Sequence, residues 1–431
     1  MPMVTLAESS PDVRLRHGIA IVSHDAGRTG APLIALNIAR ELVETRGIPV
    51  VTILLGTGEL EPEFAQMGPL FVARPRLSPT YHLDRRPWAR LVKRAIYIKD
   101  TAWHDRFWHR ISKYLAKRQI RHAVCNTVLS GGAAIRLKEA GLASIGLVHE
   151  LPHSIRANRW TDQAASLIQG ADSLVFPCPQ VQAAFTGAFS TDNKPTYVYP
   201  QSGNINPDRL AVERRTADRS AFRARLGLTC DDIVILGCGG SGDFRKGVDL
   251  FVHAAREMAL SSTAATRKIV FAWAGHIDWS FREWAEKDMT EFALSDRLIF
   301  LGPQQDMAPC FAASDIFFLP SREDPFPTTV LEAMAYGLPV VGFAGSGGIE
   351  EQICGGVGVI VPYGDVTSAV KTLRRLAGQP DERNKMARLG RERIALSGGY
   401  HAYVGNLIDV LLRLRLVEGS MKHSGQAALG K

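Results

Sequence analysis

No run of eighteen apolar residues occurs in the 431-residue chain, so no stretch has the length that a membrane-spanning helix needs. The opening residues, MPMVTLAESSPDVRLRHG, lack the apolar region of a secretory signal peptide, and 1–17 read as a mobile lead-in. Cysteine is sparse: six are scattered with no C-x-x-C pair and no metal-type spacing. Four of them fall in or beside expected strands or a helix, where they read as small buried hydrophobes suited to a reducing cytosol. Acid is outnumbered, 43 residues against 51 Lys and Arg, giving a formal charge of +8. That balance points to an anionic substrate or partner: a nucleoside diphosphate, an acidic glycan, an anionic lipid surface or nucleic acid. Charge alone does not choose among them.

What is present is ordinary for a globular protein, 46% apolar and 22% charged, at a length that fits two domains. Short apolar runs alternate with helical patterns from end to end. GIAIVS (18–23), PVVTILLG (49–56), PLFVAR (69–74), HAVCNT (122–127), ASIGLVHE (143–150), SLVFP (173–177) and PTYVYP (195–200) read as strands of a first domain. Residues 233–238, 268–275, 297–302, 316–319, 339–343 and the VGVIVPYGD stretch read as strands of a second. This alternation predicts parallel sheets with helices on both faces, an α/β architecture of two Rossmann-like halves. The expected boundaries are 18–203 for the first domain, a hinge at 204–216, the second domain at 217–397, a last helix at 398–418 and a disordered tail at 419–431.

The most informative stretch is IFFLPSREDPFPTTVLEAMAYGLPVVGFAGSGG, 316–348. A buried strand ends at Pro320, a polar turn follows, and Pro327 opens a helix that Gly337 and Pro339 close. The turn therefore sits at the carboxyl end of a parallel strand, the edge where ligands bind, and the helix N-terminus suits phosphate. Asp324 and Glu332 flank it and repel phosphate, so they suit hydroxyls; phosphate plus hydroxyls describes a nucleotide sugar. This acid, seven residues, then Glu followed by Ala-Met-x-x-Gly-x-Pro-Val-Val, resembles the E-x7-E motif of the retaining GT-B glycosyltransferases of family 4, with Asp324 and Pro327 standing where that family usually has Glu and Gly.

The resemblance implies a fold of two Rossmann-like domains facing across a cleft, with the last helix returning to the first domain. It implies that Asp324 holds hydroxyls of the transferred sugar, Glu332 the ribose, and the backbone at Pro327, Thr328 and Thr329 the diphosphate. In IVILGCGGSGDFRKGVDLFVHAA the family's strand, loop, Lys-Gly, helix pattern makes Lys246 a diphosphate ligand, with Arg245 beside it in place of a cation that the family carries nearer Gly240 or Ser241. The glycine loop HDAGRTGAP after the first strand is neither a dinucleotide fingerprint nor a Walker loop. By resemblance its Thr29, Gly30 and Ala31 face the donor. His149 matches a strand-end histidine near sugar and acceptor.

The expectation is thus a metal-independent, retaining hexosyltransferase with catalytic His149, Asp324 and Lys246. Its donor is a UDP or GDP sugar, it uses no further cofactor, and its acceptor is a glycan or lipid-linked glycan of cell-surface or exopolysaccharide type. No D-x-D motif stands at a strand end, and no nucleic-acid-binding fold accompanies the charge. Residues 81–119, rich in Arg and Lys with Trp88, Tyr97, Trp103, Phe107, Trp108 and Tyr114 interleaved, read either as an amphipathic helix on an anionic membrane surface or as a crossover helix packed on its sheet. The corresponding location is cytoplasmic, with peripheral contact at the inner face of the membrane. A sugar-nucleotide epimerase, a phosphorylase and a non-catalytic glycan-binding descendant share enough of this pattern to stand as alternatives.

Overall fold

The computed structural model describes residues 15–73, 87–191, 194–239, 244–260 and 268–427, with backbone alone for 87–91, 93–100 and 415–427. The chain divides into two compact units. The first comprises Met1–Phe176, Ala184–Tyr199 and Tyr400–Lys431; the second comprises Pro177–Ala183 and Pro200–Gly399.

The first unit is built on seven strands: β1 (Ile19–Ser23), β2 (Val50–Leu54), β3 (Leu70–Val72), β4 (His122–Asn126), β5 (Ala143–Leu147), β6 (Ser173–Phe176) and β7 (Thr196–Val198). They pair in parallel in the order β3-β2-β1-β4-β5-β6-β7. Every residue of β1, β2, β4 and β5 is buried, which explains why each appears in the sequence as a mostly apolar run, interrupted only by Ser23, Thr52, His122, Asn126 and Ser144. Ile19 and Ile21 of β1 share a core with Leu36, Ile38 and Leu42, and with Tyr403, Val404, Leu407, Val410 and Leu411 of the last helix, Gly399–Ala427. That helix runs past residue 418, where a disordered tail was expected to begin. Of the expected lead-in, residues 1–14 lie outside the described part, while Leu15 is buried in this core.

The second unit has six parallel strands: β8 (Ile233–Cys238), β9 (Ile269–Ala274), β10 (Leu298–Gly302), β11 (Ile316–Leu319), β12 (Val340–Phe343) and β13 (Gly358–Val361), ordered β10-β9-β8-β11-β12-β13. Alternate residues feed two cores. Ile233, Ile235, Phe271, Trp273, Phe318, Val341 and Phe343 pack on one face; Val234, Leu236, Val270, Ala272, Phe317, Leu319 and Val340 pack on the other. Both faces are therefore covered by helices, as the period-two burial of a central parallel sheet requires.

Some elements differ from expectation. β5 stops at Leu147, so His149 and Glu150 lie in the loop beyond it rather than within the strand. Helices Pro152–Ala157, Thr161–Gly170 and Trp279–Glu291 occupy stretches where no element was expected. Residues 204–216, expected as a hinge, contain the short helix Pro207–Leu210 and the start of Val212–Arg225. In the helix Pro87–Lys117, Phe107, Ile111 and Leu115 are buried on one face, and Tyr114 meets Phe71 edge-on at 5.3 Å. Over its described side chains this is a crossover helix with its aromatic face inward, while Arg106, Arg110, Lys113 and Lys117 point to solvent.

Candidate active site

In the second unit, the carboxyl ends of β8 and β11 bring two loops together. Lys246 ends a single helical turn, Phe244–Lys246, and its Nζ donates to Asp324 Oδ2 at 2.6 Å. Asp324 is only 6% exposed, so this is a largely desolvated ion pair. Its backbone is also held, with its N–H donating to the Ser346 carbonyl at 2.6 Å in a one-residue bridge to Gly347. Gly347 has φ +137°, and a Cβ there would lie 1.8 Å from the Asp324 carbonyl oxygen, so this approach requires glycine. Gly247 repeats the logic at φ +73°, where a Cβ would lie 1.9 Å from the Pro320 carbonyl oxygen. These two contacts lock the lysine turn and the 345–348 loop onto the turn after β11.

The helix Thr328–Tyr336 begins one residue later than expected. Pro327 is its cap residue in an extended conformation and supplies no side-chain cap hydrogen bond. Proline has no side-chain acceptor, so the N–H groups of Thr328 and Thr329 receive nothing from the cap and are oriented for an anion. Gly337 closes the helix in the left-handed conformation. One turn in, Glu332 accepts the Asn204 N–H at 3.0 Å, and burial pushes its carboxyl up to about 7 against that hydrogen bond. Beneath them, burial pushes the Cys238 thiol at the end of β8 up to about 12. It shares a hydrogen bond with the Thr329 side chain and lies within the field of Glu332, Lys246 and Asp324. The strand end, the helix N-terminus, the lysine and both acids therefore form one constellation.

Arg245 lies beside this group with another partner: its Nη1 donates to the Glu323 carbonyl at 3.0 Å. Arg322 makes a two-pronged bond to Asp249 at 2.8 and 2.7 Å. Both arginines brace the turn after β11. Gly240 and Ser241 lie outside the described residues.

The remaining candidates belong to the first unit. Thr29 caps the helix Gly30–Arg40 in an extended conformation without a side-chain bond, and a Cβ on Gly30 would meet nothing within 4 Å. Ala31 and His149, far apart in sequence, are joined through Asn126 at the end of β4. Its amide nitrogen donates to the Ala31 carbonyl at 2.8 Å, and its oxygen lies 2.6 Å from His149 Nε2. Burial, and secondarily the charge of His24, lower the His149 pKa to about 3. The ring is therefore neutral at pH 7, and it presents Nε2–H to the amide oxygen. Glu150 Oε2 accepts the N–H groups of His149 at 3.0 Å and Val128 at 3.3 Å, and burial pushes its carboxyl up to about 7. It thereby holds the turn at Thr127, a non-glycine residue at φ +74° and ψ +161°.

Residues 219–393 match the family described as glycosyl transferases group 1. That segment belongs to this family. It contains Lys246, Asp324, Glu332 and the 345–348 loop, and it lies within the second unit. A D-inositol 3-phosphate glycosyltransferase of Frankia alni is 31% identical over 198 residues, 43% of this chain and 48% of that protein. The chain spans about half the length of the curated relatives that it matches. Among solved structures, Anabaena HepE in complex with UDP-glucose superposes with a TM-score of 0.71 at 15% identity, covering 92% of this chain and 99% of that one. Sucrose-phosphate synthase of Thermosynechococcus elongatus gives 0.69 at 21% identity, covering 93% and 99%. At such identities the likeness establishes the fold: two Rossmann-like sheets of the GT-B type.

Sequence reasoning missed Asn126, Glu150, Asn204 and Gly347. Asn126 carried a readable signal, a polar residue ending an otherwise apolar strand. Asn204 acts through its backbone, which no side-chain pattern reveals.

Proposed function

We propose that the protein is a retaining glycosyltransferase that moves a hexose from a nucleoside diphosphate donor, of UDP or GDP type, to a hydroxyl of a glycan or lipid-linked glycan. The observation that carries this reading is the Lys246–Asp324 pair beside the helix N-terminus of Thr328 and Thr329, with Glu332 one turn further on. A cation and backbone N–H groups suit a diphosphate, and two carboxylates suit the hydroxyls on either side of it. The family match and the UDP-glucose bound by a protein of the same fold support the same choice.

In this reading Lys246 and the N–H groups of Thr328 and Thr329 stabilise charge on the leaving diphosphate as the bond to the anomeric carbon breaks. The acceptor oxygen attacks from the same face, and its proton passes to the departing phosphate oxygen. His149, neutral and with its Nε2–H given to Asn126, presents Nδ1 as an acceptor only and adds no charge. The outward cations of the helix Pro87–Lys117 support contact with an anionic membrane surface, where a lipid-linked acceptor would reside.

The test is a thermal-shift screen of UDP, GDP, ADP and dTDP sugars followed by a transfer assay, each repeated with Glu332→Ala and Lys246→Ala. A best ligand whose shift survives both substitutions would place the donor elsewhere. Protection without turnover on any acceptor would favour a non-catalytic descendant, and turnover without an acceptor an epimerase.

A further inference from the structure

At the opposite end of the second sheet, where Ser314 and Asp315 lead into β11 and Leu338 and Pro339 lead into β12, lies a cavity of about 290 Å³. Arg215, Arg219, Arg383, Asn384 and the Tyr336 ring line it. Arg391 adjoins it: a Cβ on Gly337 would lie 1.8 Å from Arg391 Nη1.

The positive charge here exceeds what the fold uses. Arg219 and Arg223 share the single carboxylate of Asp315 at 2.8 and 2.7 Å, and also bond the last carbonyls of the helix Ala308–Ala313 and the residue after it. Arg383 Nη1 donates to the Leu376 and Ala377 carbonyls near the end of the helix Val366–Gly378. Arg215 reaches only the Tyr336 carbonyl, at 3.5 Å, and its Nε is buried with no hydrogen-bond partner. Among the described residues no carboxylate lies within ion-pair distance of Arg215 or Arg391. The nearby Asp218 and Asp306 are matched by Arg209 and Arg214. The carboxylates of Asp315 and Asp232 face Arg219 and Arg223, so about one and a half positive charges remain on Arg215 and Arg391 once the helix C-terminus at Tyr336 is counted as roughly half a negative charge. Consistent with this, burial and the charge of Arg215 both lower the Arg391 pKa.

We propose that this cavity is a binding site for a small phosphate monoester, separate from the donor site, with Arg215 and Arg391 holding the phosphate and Asn384 and Tyr336 facing the organic part. A monoester dianion supplies the missing charge, guanidinium groups match its oxygens, and the volume admits a hexose-sized body. An occupant would tie the helix Val212–Arg225 to the helix Pro380–Leu396, which gives the site a means of stiffening the donor-binding unit.

The test is calorimetric titration of the full chain with hexose 1-phosphate, inorganic phosphate and the unphosphorylated hexose. The expected result is binding of hexose 1-phosphate in preference to phosphate, and none of the hexose. Binding should weaken roughly tenfold or more in Arg391→Gln and in Arg215→Gln, and stay unchanged in Lys246→Ala. Arg391 is exposed overall, with its guanidinium edge against Gly337, so its replacement by the shorter glutamine should leave the fold in place. Unaltered affinity in Arg391→Gln, loss of binding in Lys246→Ala, or no heat with any of the phosphates would each overturn the proposal. Binding of inorganic phosphate alone would overturn the monoester assignment.

Discussion

Replacing Glu332 by Gln should make the protein more stable and less able to hold its donor, and the gain should depend on pH in a defined direction. Burial lifts the Glu332 carboxyl from 4.5 to about 7 in the folded state. The folded chain therefore retains a proton that the unfolded chain releases between pH 4.5 and 7. Stability is fully present below about 4.5, falls as pH rises through this window, and is flat above it. A shift of that size corresponds to about 3 kcal/mol, which water at the exposed edge of the carboxylate reduces to about 2. Glutamine keeps the shape and the oxygen that accepts the Asn204 N–H, and it removes the charge. Urea melts of the two proteins should coincide at pH 4 and separate progressively to about 2 kcal/mol in favour of Glu332→Gln at pH 8. At pH 8 the same variant should bind its nucleotide sugar at least tenfold more weakly, because a charged acceptor of ribose hydroxyls has become a neutral one. A stability difference that ignores pH, or one that favours the wild type at pH 8, would show that burial of this carboxylate carries no cost.

Lys246→Met leaves Asp324 buried without its counter-charge. It should cost about 1–3 kcal/mol in a melt at pH 7 and slow transfer at least a hundredfold; a melt within 0.5 kcal/mol of wild type would contradict the pairing. Asp324→Asn removes a negative charge from beside the lysine, so binding of free nucleoside diphosphate should hold or improve while transfer falls; equal loss of both would refute separate roles for the two groups. Gly347→Ala forces a side chain onto the Asp324 carbonyl from a left-handed backbone, at about 2 kcal/mol or more, and a donor affinity left unchanged would show that the bridge does not position Asp324. Asn126→Ala frees both the Ala31 carbonyl and His149 Nε2. It should cost about 2–3 kcal/mol and slow transfer with little change in donor affinity, so a loss confined to donor binding would argue against the network.

The thirteen strands among the described residues were visible in the sequence as short, mostly apolar runs between polar turns, the central ones because they are buried on both faces and the edge strands β3, β7, β10 and β13 although they are only partly buried. The boundary errors followed from the same rule. The run that forms β5 continues through Val148, yet the strand ends at Leu147, where its carbonyl turns to the Thr127 N–H. Helices that contact their neighbours through small residues gave weaker signals. Gly131 and Gly170 bring the helices Gly131–Glu139 and Thr161–Gly170 together: a Cβ at either would lie 2.2 or 2.4 Å from backbone of the other helix. Glycine and alanine contribute almost nothing to an apolar pattern, so that packing was silent. The helix Trp279–Glu291 was silent for the opposite reason, since it buries Ala285 alone and is mostly polar.

The site was legible where its parts are close in sequence and hidden where they meet through space. Asp324 and Glu332 announced themselves because one turn and one helix separate them. Lys246 was singled out as a candidate by its own motif, but nothing in the sequence says that it and Asp324 are partners across 78 residues. That pairing adds to the chemistry. The Lys246 ammonium donates to Asp324, so the carboxylate stays within 3 Å of the nitrogen whose positive charge attracts phosphate. The spacing between a group that attracts phosphate and one that repels it but accepts hydroxyls is thereby fixed by the fold, since Asp324 is pinned by Gly347 and Ser346, and the lysine turn by Gly247 against Pro320. A free diphosphate satisfies only the first group, and a free sugar only the second. A molecule with the two joined satisfies both at once, so under the proposed function two glycines and a backbone bridge would set a preference for a sugar attached to its diphosphate.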